Sequence, residues 1–107
     1  MGKEIRLIPI DSVVYFESDT RYTRVVYSQA EETGNKDAEA LIRTPLKELL
    51  VGLDPEQFWQ IHRSTIVNTQ HMQSALRIDE NNMLLCLRGR GERLAVSRHF
   101  QGLFRAS

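Results

Sequence analysis

Short runs of β-branched and aromatic residues, each closed by turn-forming residues, recur along this chain and constrain its fold more than any other feature. "VVYFES" (13–18) and "YTRVVY" (22–27) open the series, and "EALIR" (39–43) reads as a returning strand. "STIVN" (64–68), "SALRI" (74–78), "MLLCLR" (83–88) and "RLAVS" (93–97) continue it. Asp79-Glu80-Asn81-Asn82 and Gly89-Arg90-Gly91 supply turns between the last three, which predicts a meander. "QAEETGNKD" (29–37) is polar throughout, carries Gly34-Asn35, and reads as a long hairpin loop. The predicted class is mainly β.

Helical spacing is confined to short stretches. Thr44 is placed to cap a helix with Pro45 at its first position, and Leu46, Leu49, Leu50 and Leu53 follow at i, i+3, i+4, i+7, with Gly52 near the end. Asp54-Pro55-Glu56-Gln57 has the cap and proline of a second start, one turn long. Ser97 is placed to cap a final helix bearing an apolar stripe of Phe100, Leu103 and Phe104.

No repeat, low-complexity tract or linker interrupts the chain, so its 107 residues read as one domain spanning 1–107, large enough to bury a core without staples. No apolar run approaches the roughly 20 residues of a membrane span, and "MGKEIRLIPI" lacks the apolar block of a signal peptide. The lone Cys86 excludes an internal disulfide and suits a reducing cytoplasm. The formal net charge is zero, yet residues 1–59 hold 7 Lys/Arg against 11 Asp/Glu, and residues 60–107 hold 7 Arg against 3 Asp/Glu. Arginine is suited to bidentate recognition of phosphate or guanine, so this asymmetry is what a polyanion-facing surface requires; it also arises when each half simply solvates itself.

Enzyme chemistry finds no support. Ser64, His62 and Glu17 could be assembled into a hydrolase triad on paper, but no nucleophile elbow surrounds Ser64. His62, His71, His99 and Cys86 lack the paired spacing of zinc ligands, and Cys86 between Leu85 and Leu87 reads as a small core residue. "RGRG" lacks the Lys-Ser/Thr ending of a phosphate-cradling loop and reads as a hairpin turn whose two Arg are in reach of phosphate. No metal or other cofactor is implied.

The segment "FWQIHRSTIVN" (58–68) is different. An aromatic and β-branched run is interrupted by His62-Arg63-Ser64, three consecutive side chains with hydrogen-bonding ends, just before Ile66-Val67. A forked donor between two lesser hydrogen-bonding groups suits a phosphodiester edge with a base behind it. By itself the triplet reads better as a half-buried histidine bonding backbone beside a solvated strand-end cation. Asn68, at the end of an apolar strand, reads as satisfying the backbone of the adjoining turn, and Trp59 as core.

The triplet has company. "IDSVVYFES", "TPLKELLVGL", "FWQIHRSTIVNTQHM" and "LAVSRHFQGLF" stand in the order of four blocks of the LytTR family of bacterial DNA-binding domains, and "HRSTIVN" resembles that family's most distinctive signature. The resemblance covers nearly the whole chain. It implies elongated antiparallel β-sheets of about ten strands, with one or two short helices and a short C-terminal helix. It further implies a transcription-regulator output domain, of the kind found in two-component response regulators, that reads double-stranded DNA with loops entering the major groove.

Carried onto this sequence, the family pattern puts base-contacting positions at Thr23, Arg63 and Arg98, and phosphate-contacting positions at Arg24, Lys47 and Ser64. His62 belongs to the motif either as a DNA contact or as a brace for the loop. The implied partners are promoter repeats in duplex DNA, a receiver domain upstream of this segment, and a second copy forming a homodimer on DNA; no membrane and no enzymatic activity are implied. The competing expectation is a non-enzymatic protein-interaction or single-strand-binding β domain, for which "RYTRVVY" is the candidate surface.

Overall fold

A computed structural model describes residues 7–31 and 34–104. Eight strands form two antiparallel sheets: β1 (Val13–Ser18), β2 (Thr23–Glu31), β3 (Gly34–Ile42), β4 (Phe58–His62) and β5 (Thr65–Asn68) in one, ordered β3-β2-β1-β5-β4, and β6 (Met72–Arg77), β7 (Met83–Leu87) and β8 (Arg93–Val96) in the other, ordered β6-β7-β8. The single α-helix among the described residues is α1 (Leu46–Gly52), and 3-10 turns occupy Ile10–Ser12, Thr69–His71 and Arg98–Phe104. The mainly β, elongated architecture is as expected, with extents of 55 × 33 × 24 Å, and the described residues hold eight strands against an expected ten or so.

The five-stranded sheet is covered on both faces, which explains why β1 is apolar without alternating. Val13, Phe16, Val25, Tyr27, Phe58 and Ile66 pack with Leu46 of α1, and Leu49, Leu50 and Leu53 complete that layer from the predicted helical stripe. On the other face Val14, Tyr15, Val26, Ile61 and Val67 meet Leu85, Leu87, Leu94 and Val96 of the smaller sheet. A register shift between Val13 and Tyr15 lets the adjacent Val14 and Tyr15 join the same layer. Full burial of side chains such as Ile61 and Ile66 is worth about 1.5–3 kcal/mol each.

Four local expectations change. The polar stretch 29–37 continues the β2–β3 ladder through Ser28↔Asp37, Gln29↔Lys36, Ala30↔Asn35 and Glu31↔Gly34, while Glu32 and Thr33 lie outside the described residues. Backbone pairing in a ribbon needs no apolar side chain once Val25↔Ala40 and Tyr27↔Ala38 have set the register. Pro45, and not Thr44, is the N-cap of α1, and its carbonyl accepts from the amides of Glu48 and Leu49. The C-terminal segment winds as a 3-10 helix. Cys86 is half-buried, out of step with its buried neighbours Leu85 and Leu87, because the alternation of β7 turns it away from the core layer.

Asn68 behaves as its position suggests. It is fully buried, its side-chain amide donates to the Val13 carbonyl at 2.8 Å, and its side-chain oxygen accepts from the Gln70 amide at 2.9 Å. Asp54 likewise closes a one-turn structure, accepting from the Glu56 amide at 2.9 Å.

Candidate functional site

Antiparallel pairing brings three connections to one end of the five-stranded sheet: the β1–β2 turn, the β3–α1 crossing and the β4–β5 turn. The Ser18 amide donates to the Ser64 carbonyl at 2.8 Å and so joins the first turn to the third. The Ser97 amide donates to the Ile61 carbonyl at 2.9 Å, which sets Arg98 beside the end of β4. Residues distant in sequence therefore share one edge of the molecule: Thr23, Arg63, Ser64 and Arg98, with Lys47 on the first turn of α1.

The triplet His62-Arg63-Ser64 resolves into a tight hairpin. Trp59↔Val67, Gln60↔Ile66 and His62↔Thr65 pair across it, with a register shift at Ile61, so that Arg63 and Ser64 alone form the connection. Two-residue hairpins ordinarily use left-handed residues, yet among the described residues only Gly89 has a positive φ. The side chain of His62 closes the turn instead. Its Nδ1 accepts from the Ser64 amide at 3.2 Å and lies 2.9 Å from the Ser64 hydroxyl, an arrangement that leaves the ring proton on Nε2. His62 and Ser64 are half-buried by this contact, and Arg63 is thrust into solvent with no partner among the described residues.

The other expected positions divide into two groups. Arg98 and Lys47 are exposed and without hydrogen-bond or ion-pair partners among the described residues. Thr23 and Arg24 are engaged. Thr23 is 2% exposed, and its hydroxyl donates to the Thr44 carbonyl at 2.7 Å, tying the start of β2 to the β3–α1 crossing. The Arg24 guanidinium donates to Glu17 through Nη2 and to Glu39 through Nη1 at 2.7 Å, and lies 5.9 Å from the Tyr15 ring centroid. The Glu17 hydrogen bond raises the Arg24 pKa and makes its charge more persistent, but two carboxylates already balance it.

The two Arg of "RGRG" belong to the fold. Arg88 Nε donates to the Met72 carbonyl at 3.0 Å. Arg90 donates to Glu92 Oε2 through Nε at 3.0 Å and Nη2 at 2.8 Å, and that carboxylate also accepts from the Tyr15 hydroxyl at 3.3 Å. The Arg90 hydrogen bond pulls the Glu92 carboxyl below its usual range, while burial, opposed by Arg24, pushes the Tyr15 hydroxyl up. This network ties the β7–β8 turn to β1.

Two exposed cations were not singled out from the sequence. Arg21 of the β1–β2 turn and Arg43 of the β3–α1 crossing line one cleft of about 220 Å³, together with Thr20, Tyr22, Pro45 and Leu46. They stand 22 positions apart, and only the antiparallel pairing Thr23↔Ile42 makes them neighbours, so no local motif marks them.

The family described as "LytTr DNA-binding domain" matches residues 3–107. The chain is 38% identical over 106 residues to a response regulatory protein of Vibrio cholerae, covering 99% of this chain and 38% of that protein. It is 32% identical over 105 residues to the positive alginate biosynthesis regulatory protein of Pseudomonas aeruginosa, covering 96% and 39%, and 26% identical over 98 residues to a CO-responsive transcriptional regulator of Rhodospirillum rubrum, covering 92% and 38%. The chain thus spans about two fifths of the length of these relatives. Among solved structures, the LytTr DNA-binding domain of a methyl-accepting/DNA response regulator from Bacillus cereus superposes with a TM-score of 0.74 at 30% identity, covering 92% of this chain and 82% of that one.

Proposed function

The chain belongs to the LytTR family of DNA-binding domains, and we propose that it binds double-stranded DNA sequence-specifically through the sheet end that carries Arg63. One observation carries this reading: Arg63 stands exposed on a two-residue turn whose shape is held by His62 and by the Ser18–Ser64 backbone bond. A bidentate donor on a braced hairpin tip can enter a major groove with little ordering cost and pair with guanine O6 and N7.

Arg98, beside the same strand end, is the second base reader in this proposal, and Lys47 with Ser64 contacts flanking phosphates. Thr23 and Arg24 shape the loop in the free protein, Thr23 by anchoring the crossing and Arg24 by joining β1, β2 and β3. The domain acts as the cytoplasmic, non-enzymatic output module of a transcription regulator, coupled to a receiver domain and paired as a homodimer on repeated sites. Anisotropy titrations with duplex and single-stranded DNA at several salt concentrations test the reading. Duplex preference with a log–log slope of roughly −3 to −4, for three to five neutralised phosphates, is expected. A flat salt response or a preference for single strands would remove it.

A further inference from the structure

We propose that the cleft between the β1–β2 turn and the β3–α1 crossing clamps one DNA backbone phosphate, with Arg43 as the second guanidinium beside Arg21. The inference rests on the duplex-binding reading and adds a contact from an element that reading does not use.

Arg21 and Arg43 both line the same concavity, and both are exposed without hydrogen-bond or ion-pair partners among the described residues. Two cationic residues on the walls of one cleft can be bridged by a single anion, and guanidinium forks match phosphate oxygens bidentately. The one carboxylate on the lining, Asp19, is occupied within its own turn, where Oδ1 accepts from the Thr20 amide at 2.7 Å and lies 3.4 Å from the Thr20 hydroxyl. With two Arg against one Asp, the lining carries a net charge of +1.

Arg24, next along from Thr23, is already balanced by Glu17 and Glu39, so the cations free to meet a phosphate beside this turn are Arg21 and Arg43. Pro45, Leu46 and the Tyr22 ring add apolar surface that suits a deoxyribose next to the phosphate. The Thr23 hydroxyl bond to the Thr44 carbonyl, 2.7 Å, holds the two walls in register before any ligand arrives. The cleft also sits at the sheet end that carries Arg63, since Ser18 on its rim bonds Ser64. A duplex engaged by the β4–β5 turn therefore passes within reach of it.

The test uses the full chain and a labelled random-sequence duplex, titrated across a salt series. Arg43→Ala should make the log–log slope shallower by up to about 0.9, the whole share of one phosphate, and Arg43→Lys should restore the slope because the charge is retained. On a duplex carrying the preferred site, which fixes the register, a methylphosphonate scan should find one position whose neutralisation weakens the wild-type protein but not Arg43→Ala. Salt-dependent wild-type binding with an unchanged slope in Arg43→Ala would overturn the clamp while leaving the duplex reading intact. A wild-type protein with a flat salt response would defeat that reading itself. Inorganic phosphate that occupies the cleft without weakening duplex binding would assign the site to a soluble phosphate ester and overturn the proposal.

Discussion

The Nδ1 atom of His62 accepts a hydrogen bond from the amide of Ser64 and lies 2.9 Å from the Ser64 hydroxyl, so one imidazole nitrogen meets both the amide and the hydroxyl of a single turn residue. The consequence is coupling. His62→Ala should weaken duplex binding by releasing the turn, and Ser64→Ala by removing the hydroxyl that His62 positions toward a phosphate. Because the two act through one contact, the double variant should lose little more than the worse single one. Fully additive losses in the double-mutant cycle would mean that the two residues contact DNA independently.

Arg63 is the exposed residue of that turn. Arg63→Ala should cost roughly 1–3 kcal/mol on the preferred duplex and much less on random duplex, because a bidentate fork discriminates bases. Paired titrations on the folded variant decide the matter: equal losses on both duplexes make Arg63 a phosphate clamp.

Lys47 and Arg24 carry the same charge in different settings. Lys47 is exposed on α1, whereas Arg24 is paired with Glu17 and Glu39. Lys47→Ala should make the salt slope shallower by roughly one unit without altering sequence preference, and Arg24→Ala should change the slope less. Arg24→Ala should also lower stability, by no more than about 1 kcal/mol because the pairs are partly exposed. Equal slope changes in the two variants would return Arg24 to a phosphate-contacting role.

Core and polar burial are separable on β5. Ile66→Ala, at a fully buried site between sheet and helix, should cost roughly 2–5 kcal/mol. Asn68→Ala strands the Val13 carbonyl and the Gln70 amide and should cost about 1–3 kcal/mol. Denaturant melts measure both, and an Asn68→Ala protein as stable as wild type would show that water replaces the side chain.

Acid should act through Glu92. Its carboxyl is held below the ordinary glutamate range by Arg90, so the folded form binds its proton less readily than the unfolded chain. The resulting stability is fully present above the unfolded value of about 4.3 and disappears as pH falls through the lower folded value. With the side chain 37% exposed, the contribution is of the order of 1 kcal/mol or less. Melting temperatures of wild type and Glu92→Gln should differ near neutral pH and converge as pH drops below about 4; a constant gap would assign the effect to shape alone.

Seven of the eight strands, the α1 stripe, the buried role of Asn68 and the exposed Arg63 were legible in the sequence because each rests on local rules: residue alternation, helical spacing and turn chemistry. The strand β4 (Phe58–His62) is not among the predicted strands. The family blocks led to the same sheet end. The partnerships of the charged residues were decided only by strand order and register. Arg24 is balanced because β1 places Glu17 on one side of it and β3 brings Glu39 to the other, and Arg43 meets Arg21 because Ile42 pairs with Thr23. The side to which Cys86 turns and the continuation of the polar β2–β3 ribbon belong to the same class. Local sequence determines which segments extend and which side chains can carry charge. Cross-strand pairing between distant segments determines which charges cancel within the protein and which remain for a ligand.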